Sequence, residues 1–125
     1  LAASTDRVFV HALKTVQAIP NTTTTRPPAS DRMRLYGLYK QAMEGDVDGK
    51  TERPTAANAT GSSSEEIVRE RDKWDAWNSQ KGLSRTEAKR CYIEVLIKTM
   101  RAYANTTSNA LGLVAELEAV WNQAK

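Results

Sequence analysis

The chain has 125 residues, of which 40% are hydrophobic and 26% charged, and its formal net charge is +3. These values fit one ordinary soluble domain. The mild basicity favours an anionic partner, but it does not single out nucleic acid over a phosphorylated small molecule. A lone cysteine, Cys91, excludes an intrachain disulfide and a cysteine-based zinc site. It makes a reducing compartment the simpler expectation. No apolar run is long enough to span a bilayer. The chain opens Leu1-Ala2-Ala3-Ser4 without an initiator Met, as an excised domain or a processed chain would.

A first helix is predicted over residues 6–19. Val8, Phe9, Ala12, Leu13, Val16 and Ile19 recur every three or four positions and make one apolar stripe. Ser4, Thr5 and Asp6 are the candidate caps, and Pro20 ends the pattern. His11 lies on the polar side of the stripe and reads as a solvated surface residue. Residues 20–29, PNTTTTRPPA, oppose helix and packing alike and read as a loop.

A second helix is predicted over about 30–44, with Ser30 as N-cap, Asp31 at the positive end of the dipole and Gly45 as the stop. Tyr36 and Tyr39 are three apart, and Tyr36 and Lys40 four apart, so one face should carry two phenols and an ammonium. That set suits a flat π-system bearing phosphates, hence a nucleotide. It equally suits tyrosines that pack in a core with their hydroxyls at the surface. Leu35, Leu38 and Ala42 supply core contacts on the other side.

Residues 45–64 are broken by Gly45, Asp46, Gly49 and Pro54, and TAANATGSSS reads as a flexible surface insertion. Within it, Glu52-Arg53-Pro54 is a charged pair before a proline, of the kind that fixes a loop to its neighbours. Ser63 with Glu66 forms a capping box for a third helix running through Asn78. Ile67, Trp74 and Trp77 fall on one side of it, and the tryptophans read as core anchors. Arg69 and Lys73 make a cationic strip on an adjacent side.

Gly82 terminates that helix, and Ser84 with Glu87 caps a fourth, predicted to about Tyr103. Its buried face is Ala88, Cys91, Tyr92, Val95, Leu96 and Thr99, with Cys91 as a small core residue rather than a nucleophile. After ANTTSN, a fifth helix is predicted over 110–124, with Ala110, Val114, Leu117, Trp121 and Ala124 as its stripe. It either packs on the four-helix body or leads into a further C-terminal region. Three Asn-x-Thr sites, at Asn21, Asn58 and Asn105, matter only if the chain enters the secretory pathway. The fold class is all-α: four core helices with an additional C-terminal helix.

Catalysis needs a positioned group of tuned pKa, usually two. One His and one Cys, no Gly-rich phosphate loop and no distinct carboxylate pair point to a binding module rather than an enzyme. No metal set and no cofactor are expected.

Tyr36-Gly37-Leu38-Tyr39-Lys40-Gln41-Ala42, Gly45-Asp46, Thr51-Glu52-Arg53-Pro54, Lys73-Trp74-Asp75-Ala76-Trp77-Asn78, Lys81-Gly82 and Ala88…Tyr92-Ile93 resemble the acyl-CoA-binding protein family, in the family's order and over roughly residues 8–103. The resemblance implies an up-down-down-up four-helix bundle as residues 1–103, with 55–64 as a flexible insertion and 104–125 as a C-terminal helical extension. It implies a ligand, long-chain fatty acyl-CoA, bound without turnover and carried or buffered in the cytoplasm. It implies Tyr36, Tyr39, Lys40, Lys73 and Tyr92 as ligand-binding residues. The rings would hold the adenine and line the way to the acyl chain, and Lys40 and Lys73 would meet the ribose phosphate and pyrophosphate. Met33, Gly37 and Leu38 are further candidate contacts.

The chain departs from the family pattern in places. Gln17 stands where a first-helix lysine is usual, which leaves one phosphate contact neutral. Arg69 falls where the family often has a basic residue and would retain that contact. Arg34 replaces a usual apolar residue and would stack on the ligand or add charge. The linker between Pro54 and Lys73 is longer than in short members, and the fifth helix has no counterpart in the minimal fold.

A monomeric acyl-CoA carrier is therefore the leading expectation, with transient contacts to membranes or acyl-CoA enzymes. The alternative is a sensing or scaffold domain of a larger, membrane-anchored protein. An enzyme acting on CoA esters lacks an acid/base set. Nucleic acid is not expected, because the cations are interleaved with acids.

Overall fold

The computed structural model describes residues 2–19 and 26–125. Five helices follow in order: α1 (Ala2–Ala18), α2 (Ala29–Glu44), α3 (Ser64–Asn78), α4 (Arg85–Tyr103) and α5 (Ser108–Ala124). Most of the 20–29 loop, with Pro20 and the Asn21 site, lies outside the described residues.

Three pairs of neighbours set the helix directions. Asp6 bonds Lys89 and Phe9 meets Tyr92, so α1 and α4 run parallel. Tyr36 meets Lys73, Gly37 lies on Ala76 and Lys40 meets Trp77, so α2 and α3 run parallel. Tyr39 meets Tyr92, whereas Gln41 and Ala42 reach Leu83 and Arg85 further toward the start of α4, so α2 and α4 run antiparallel. The result is an up-down-down-up bundle, with α2 packed on both α3 and α4 and α5 laid over α1 and α4.

The long connection 45–63 allows α3 to repeat the direction of α2. Gly45 ends α2 at φ +77°, a conformation that glycine adopts without steric cost. The connection is then tied down. Val47 is fully buried, Trp77 Nε1 donates to Gly45 O at 2.7 Å and Trp74 Nε1 donates to Thr51 O at 3.2 Å. Arg53 forks onto Asp75, and Arg71 Nε donates to Pro54 O at 3.1 Å. The expectation that Glu52-Arg53-Pro54 fixes the loop is met by Arg53. Residues 55–62 form turns, with reciprocal bonds between Thr55 and Asn58 and a bond from Asn58 Nδ2 to Arg53 O.

The predicted caps Ser63 and Ser84 are in place. Ser63 and Glu66 form the full capping box. Ser84 accepts from Glu87 N, while Glu87 accepts from the Ser84 hydroxyl. Four expectations are corrected. Ser30 lies inside α2, whose cap position is Pro28 with no side-chain bond; proline's fixed φ suits a helix start. The helix α3 ends at Asn78 as expected, but Gly82 is not its terminating residue: Ser79 to Gly82 form the turn that follows. The fifth helix starts at Ser108 rather than 110, with Thr107 as its cap accepting from Ala110 N. The first helix starts at Ala2, so Ser4, Thr5 and Asp6 are helical. The end of α5 lies against this early turn, with Val120, Gln123 and Ala124 beside Ser4, Arg7 and Val8, and Thr5 is buried.

One hydrophobic cluster runs from Val8, Phe9 and Ala12 through Leu38, Ala42, Tyr92 and Leu96 to Ala110, Val114, Leu117 and Trp121. The predicted stripe of α5 is thus inside the same core as α1, α2 and α4. The fourth helix buries Ile93, Ile97 and Met100 in addition to the predicted face, because it packs against α1, α2 and α5 at once. Cys91 is half-buried at the edge of this core.

Candidate functional site

The parallel packing of α2 and α3 faces two i, i+4 pairs toward each other: Tyr36 and Lys40 on α2, Lys73 and Trp77 on α3. Lys73 Nζ sits 5.1 Å from the Tyr36 ring centroid, and Lys40 Nζ sits 4.7 Å from that of Trp77. Each ammonium is thus held over an aromatic face by the ring quadrupole. Gly37 makes this close approach feasible, since a Cβ there would lie 2.1 Å from Ala76 O. The two pairs line a recess of about 220 Å³ whose other walls are Thr51, Glu52, Pro54, Glu70 and Trp74. Because 45–63 is pinned to α3, its Thr51–Pro54 stretch forms one wall.

Each lysine also has a carboxylate partner on its own helix. Lys40 Nζ donates to Glu44, and Lys73 Nζ lies 3.6 Å from Glu70. The bond with Glu44 holds the Lys40 ammonium above its ordinary pKa and the Glu44 carboxyl below its own. A second anion entering the recess therefore meets a Lys40 ammonium that stays charged, with Lys73 lining the same recess.

Tyr39 and Tyr92 lie on another side of α2. Residues three apart on a helix are about 60° apart in projection, and α2 packs on two neighbours. Tyr36 consequently points to α3 and Tyr39 to α1 and α4. The expected face is thus broad: its two tyrosines turn toward different neighbours, while both act on Lys40. The Tyr39 ring is 6.5 Å from Phe9 and 6.5 Å from Tyr92, and Phe9 meets Tyr92 edge-on at 5.3 Å. Tyr92 is 6% exposed, and burial pushes its phenol up to about 12. Its ring also borders an apolar cleft of about 300 Å³ with Val16, Ile19, Leu35, Leu96 and Met100. Arg32 stands at this cleft, its guanidinium donating to Pro27 O at 2.6 Å.

The remaining candidates are spread more widely. Gln17 and Arg34 are exposed, and Met33 is half-buried. Arg69 is exposed one turn before Lys73, beside Ser64, Glu65 and Val68 and outside the Lys40–Lys73 recess. Leu38 is 2% exposed and belongs to the core, and Gly37 is covered by Ala76. Sequence reasoning missed Glu44, Glu70 and Arg32, and it treated Trp77 only as a core anchor. Trp77 is buried, yet one face supports Lys40. The i, i+4 spacings Lys40–Glu44 and Lys73–Trp77 were the available signals. His11 is half-buried, with Ser4, Arg7 and Val120 around it, rather than a freely solvated residue. Among the described residues no group of three or more His, Cys, Asp or Glu is placed to hold a metal, and no helix is long and apolar enough to cross a membrane.

A five-helix, up-down-down-up fold with paired lysines and aromatics between α2 and α3 defines a small helical binder of anionic ligands. Residues 6–96 match the family described as acyl CoA binding protein, and the chain belongs to that family. Family membership supports acyl-CoA binding at the level of the family. It is 69% identical over 125 residues to autophagy-related protein 37 of Gibberella zeae and 49% identical over 127 residues to the protein of that name from Komagataella phaffii. These alignments take in 100% and 98% of the chain, but only 41% and 30% of the relatives' own length. Among solved structures, the acyl-CoA-binding protein of Moniliophthora perniciosa superimposes with a TM-score of 0.71 at 28% identity, over 91% of this chain and 95% of that one. Acyl-CoA-binding protein 2 of Oryza sativa gives 0.62 at 31% identity, over 83% and 99%.

Proposed function

We propose that this chain reversibly binds long-chain fatty acyl-CoA and, as a monomer in the cytoplasm, carries or buffers it. The observation that carries the reading is the recess in which Lys40 and Lys73, from two parallel helices, converge beside Tyr36 and Trp77. The lysines would take the phosphates, and the exposed parts of Tyr36 and Tyr39 would take the base and the start of the tail. Tyr92, almost wholly buried, acts mainly by backing Tyr39.

Magnitudes favour an acylated ligand over its parts. Stacking a base on an aromatic contributes ~1–3 kcal/mol, and a charge-assisted hydrogen bond ~1.5–3 kcal/mol. Each buried methylene adds ~0.8 kcal/mol, so a few methylenes rival the phosphate set. Calorimetric titration with palmitoyl-CoA, free CoA and palmitate tests this: tight one-to-one binding of palmitoyl-CoA alone is expected, and equal binding of free CoA would contradict it.

A second reading is supported by the relatives' length. Because the chain spans less than half of them, it fits an acyl-CoA-responsive domain of a larger protein, held at a membrane by another region. On this reading the larger protein would act in autophagy, as the relatives' printed name says of them. Titrating the full-length protein with and without its remaining segments discriminates the two readings.

A further inference from the structure

Both cations of the α2–α3 recess are engaged before any ligand arrives. Lys40 is bonded to Glu44 four residues on, and Lys73 lies 3.6 Å from Glu70 three residues back. Glu70 and Glu52 line the recess with the two lysines, so its walls carry as many acids as bases. Glu44 adds a further acid at its edge.

Helix stability favours Glu44 only weakly. An ion pair along a helix is favoured with the acid N-terminal to the base, and here Lys40 precedes Glu44. Glu44 is moreover the last residue of α2, where the helix dipole disfavours negative charge. Its one evident favourable contact is the ammonium of Lys40, with the field of Lys50 in support. The pair is partly exposed, at 24% for the lysine side chain and 43% for the glutamate, so an incoming phosphate can reach and displace it.

We propose that Glu44, seconded by Glu70, is an internal competitor for the ligand's phosphates and sets the affinity of the recess. The proposal rests on the acyl-CoA reading given above. A phosphate gains each lysine only by displacing a carboxylate, which lowers the head-group contribution. Ligands with a head and no tail, such as free CoA or a nucleotide, are weakened by the same factor with no tail contribution to offset it. The tail restores affinity for the acylated form.

The test is a double-mutant cycle read by titration with palmitoyl-CoA and with free CoA. Glu44→Gln should tighten both ligands about two- to fivefold, the range of an exposed ion pair. Glu70→Gln should give a smaller gain. In a Lys40→Ala background, Glu44→Gln should have no effect, because the competitor acts through that ammonium. Glu116→Gln, an equal change of charge on α5, should leave affinity unchanged. Wild-type binding with no gain in Glu44→Gln, or an equal gain in Glu116→Gln, would overturn the proposal and leave the acyl-CoA reading standing. No binding by wild type or by any variant would overturn both.

Discussion

Arg53 Nε and Nη2 reach the two carboxylate oxygens of Asp75 at 2.9 and 3.0 Å, so one fork joins the 45–63 connection to α3. The guanidinium beside Asp75 holds its carboxyl below the ordinary value of 3.8. A lowered carboxylate pKa contributes stability above the unfolded value, and that contribution is lost as pH falls through the folded one. Thermal unfolding of Asp75→Asn should therefore differ from wild type at neutral pH and converge with it in strong acid. A difference that persists undiminished below the pKa of Asp75 would show that the charge pair is not its source.

Gly37 lies where α2 and α3 touch. A methyl at this position would sit 2.1 Å from Ala76 O and 2.7 Å from Ala76 C, which are backbone atoms with little room to yield. Gly37→Ala should cost ~1–3 kcal/mol by overpacking. It should also weaken palmitoyl-CoA binding by separating Lys40 from Lys73. Denaturant unfolding and titration of the same variant check both effects, and unchanged values would mean that the helices can move apart freely.

Burial raises the Tyr92 phenol from its ordinary value of 10.0 to about 12. Between those values the folded state binds more protons than the unfolded state, so stability falls as pH rises. The loss should approach ~2–3 kcal/mol once the pH exceeds the folded value. Tyr92→Phe should remove this alkaline slope. Unfolding free energies measured from about pH 9 to pH 12 test it; equal slopes in both proteins would assign the titration to another group.

Leu117 is fully buried where α5 meets the rest of the core. Leu117→Ala should destabilise the fold by ~2–5 kcal/mol, the range for such a truncation in a packed interior. A single cooperative transition at lower denaturant is expected. A separate early transition, with the main one unmoved, would mean that α5 opens independently of the bundle.

Much of this was legible from local pattern. The stripe of α1, apart from the exposed Val16 and from Ile19 just past the helix end, the stripe of α5, the Ser63–Glu66 box, the Ser84 cap and the Gly45 stop depend on residues close in sequence, and each is found. What depended on the neighbours of a helix was not legible. The extra turn at the start of α1 answers to the end of α5, and Ile93, Ile97 and Met100 are buried by a third partner of α4. The separation of Tyr36 from Tyr39 follows from α2 having two packed neighbours rather than one. Lys73, Tyr36 and Lys40 could be named from motif resemblance. Their pairing with Trp77, Glu44 and Glu70 needed the parallel register of α2 and α3.

The central claim is that the phosphates of acyl-CoA seat on Lys40 and Lys73 together. The most direct measurement is titration of Lys40→Ala, Lys73→Ala and the double variant with palmitoyl-CoA. Loss of a charge-assisted bond of ~1.5–3 kcal/mol predicts roughly tenfold or greater weakening for each single variant and a further loss for the double. Wild-type affinity in the double variant would place the ligand's anionic head elsewhere on the molecule.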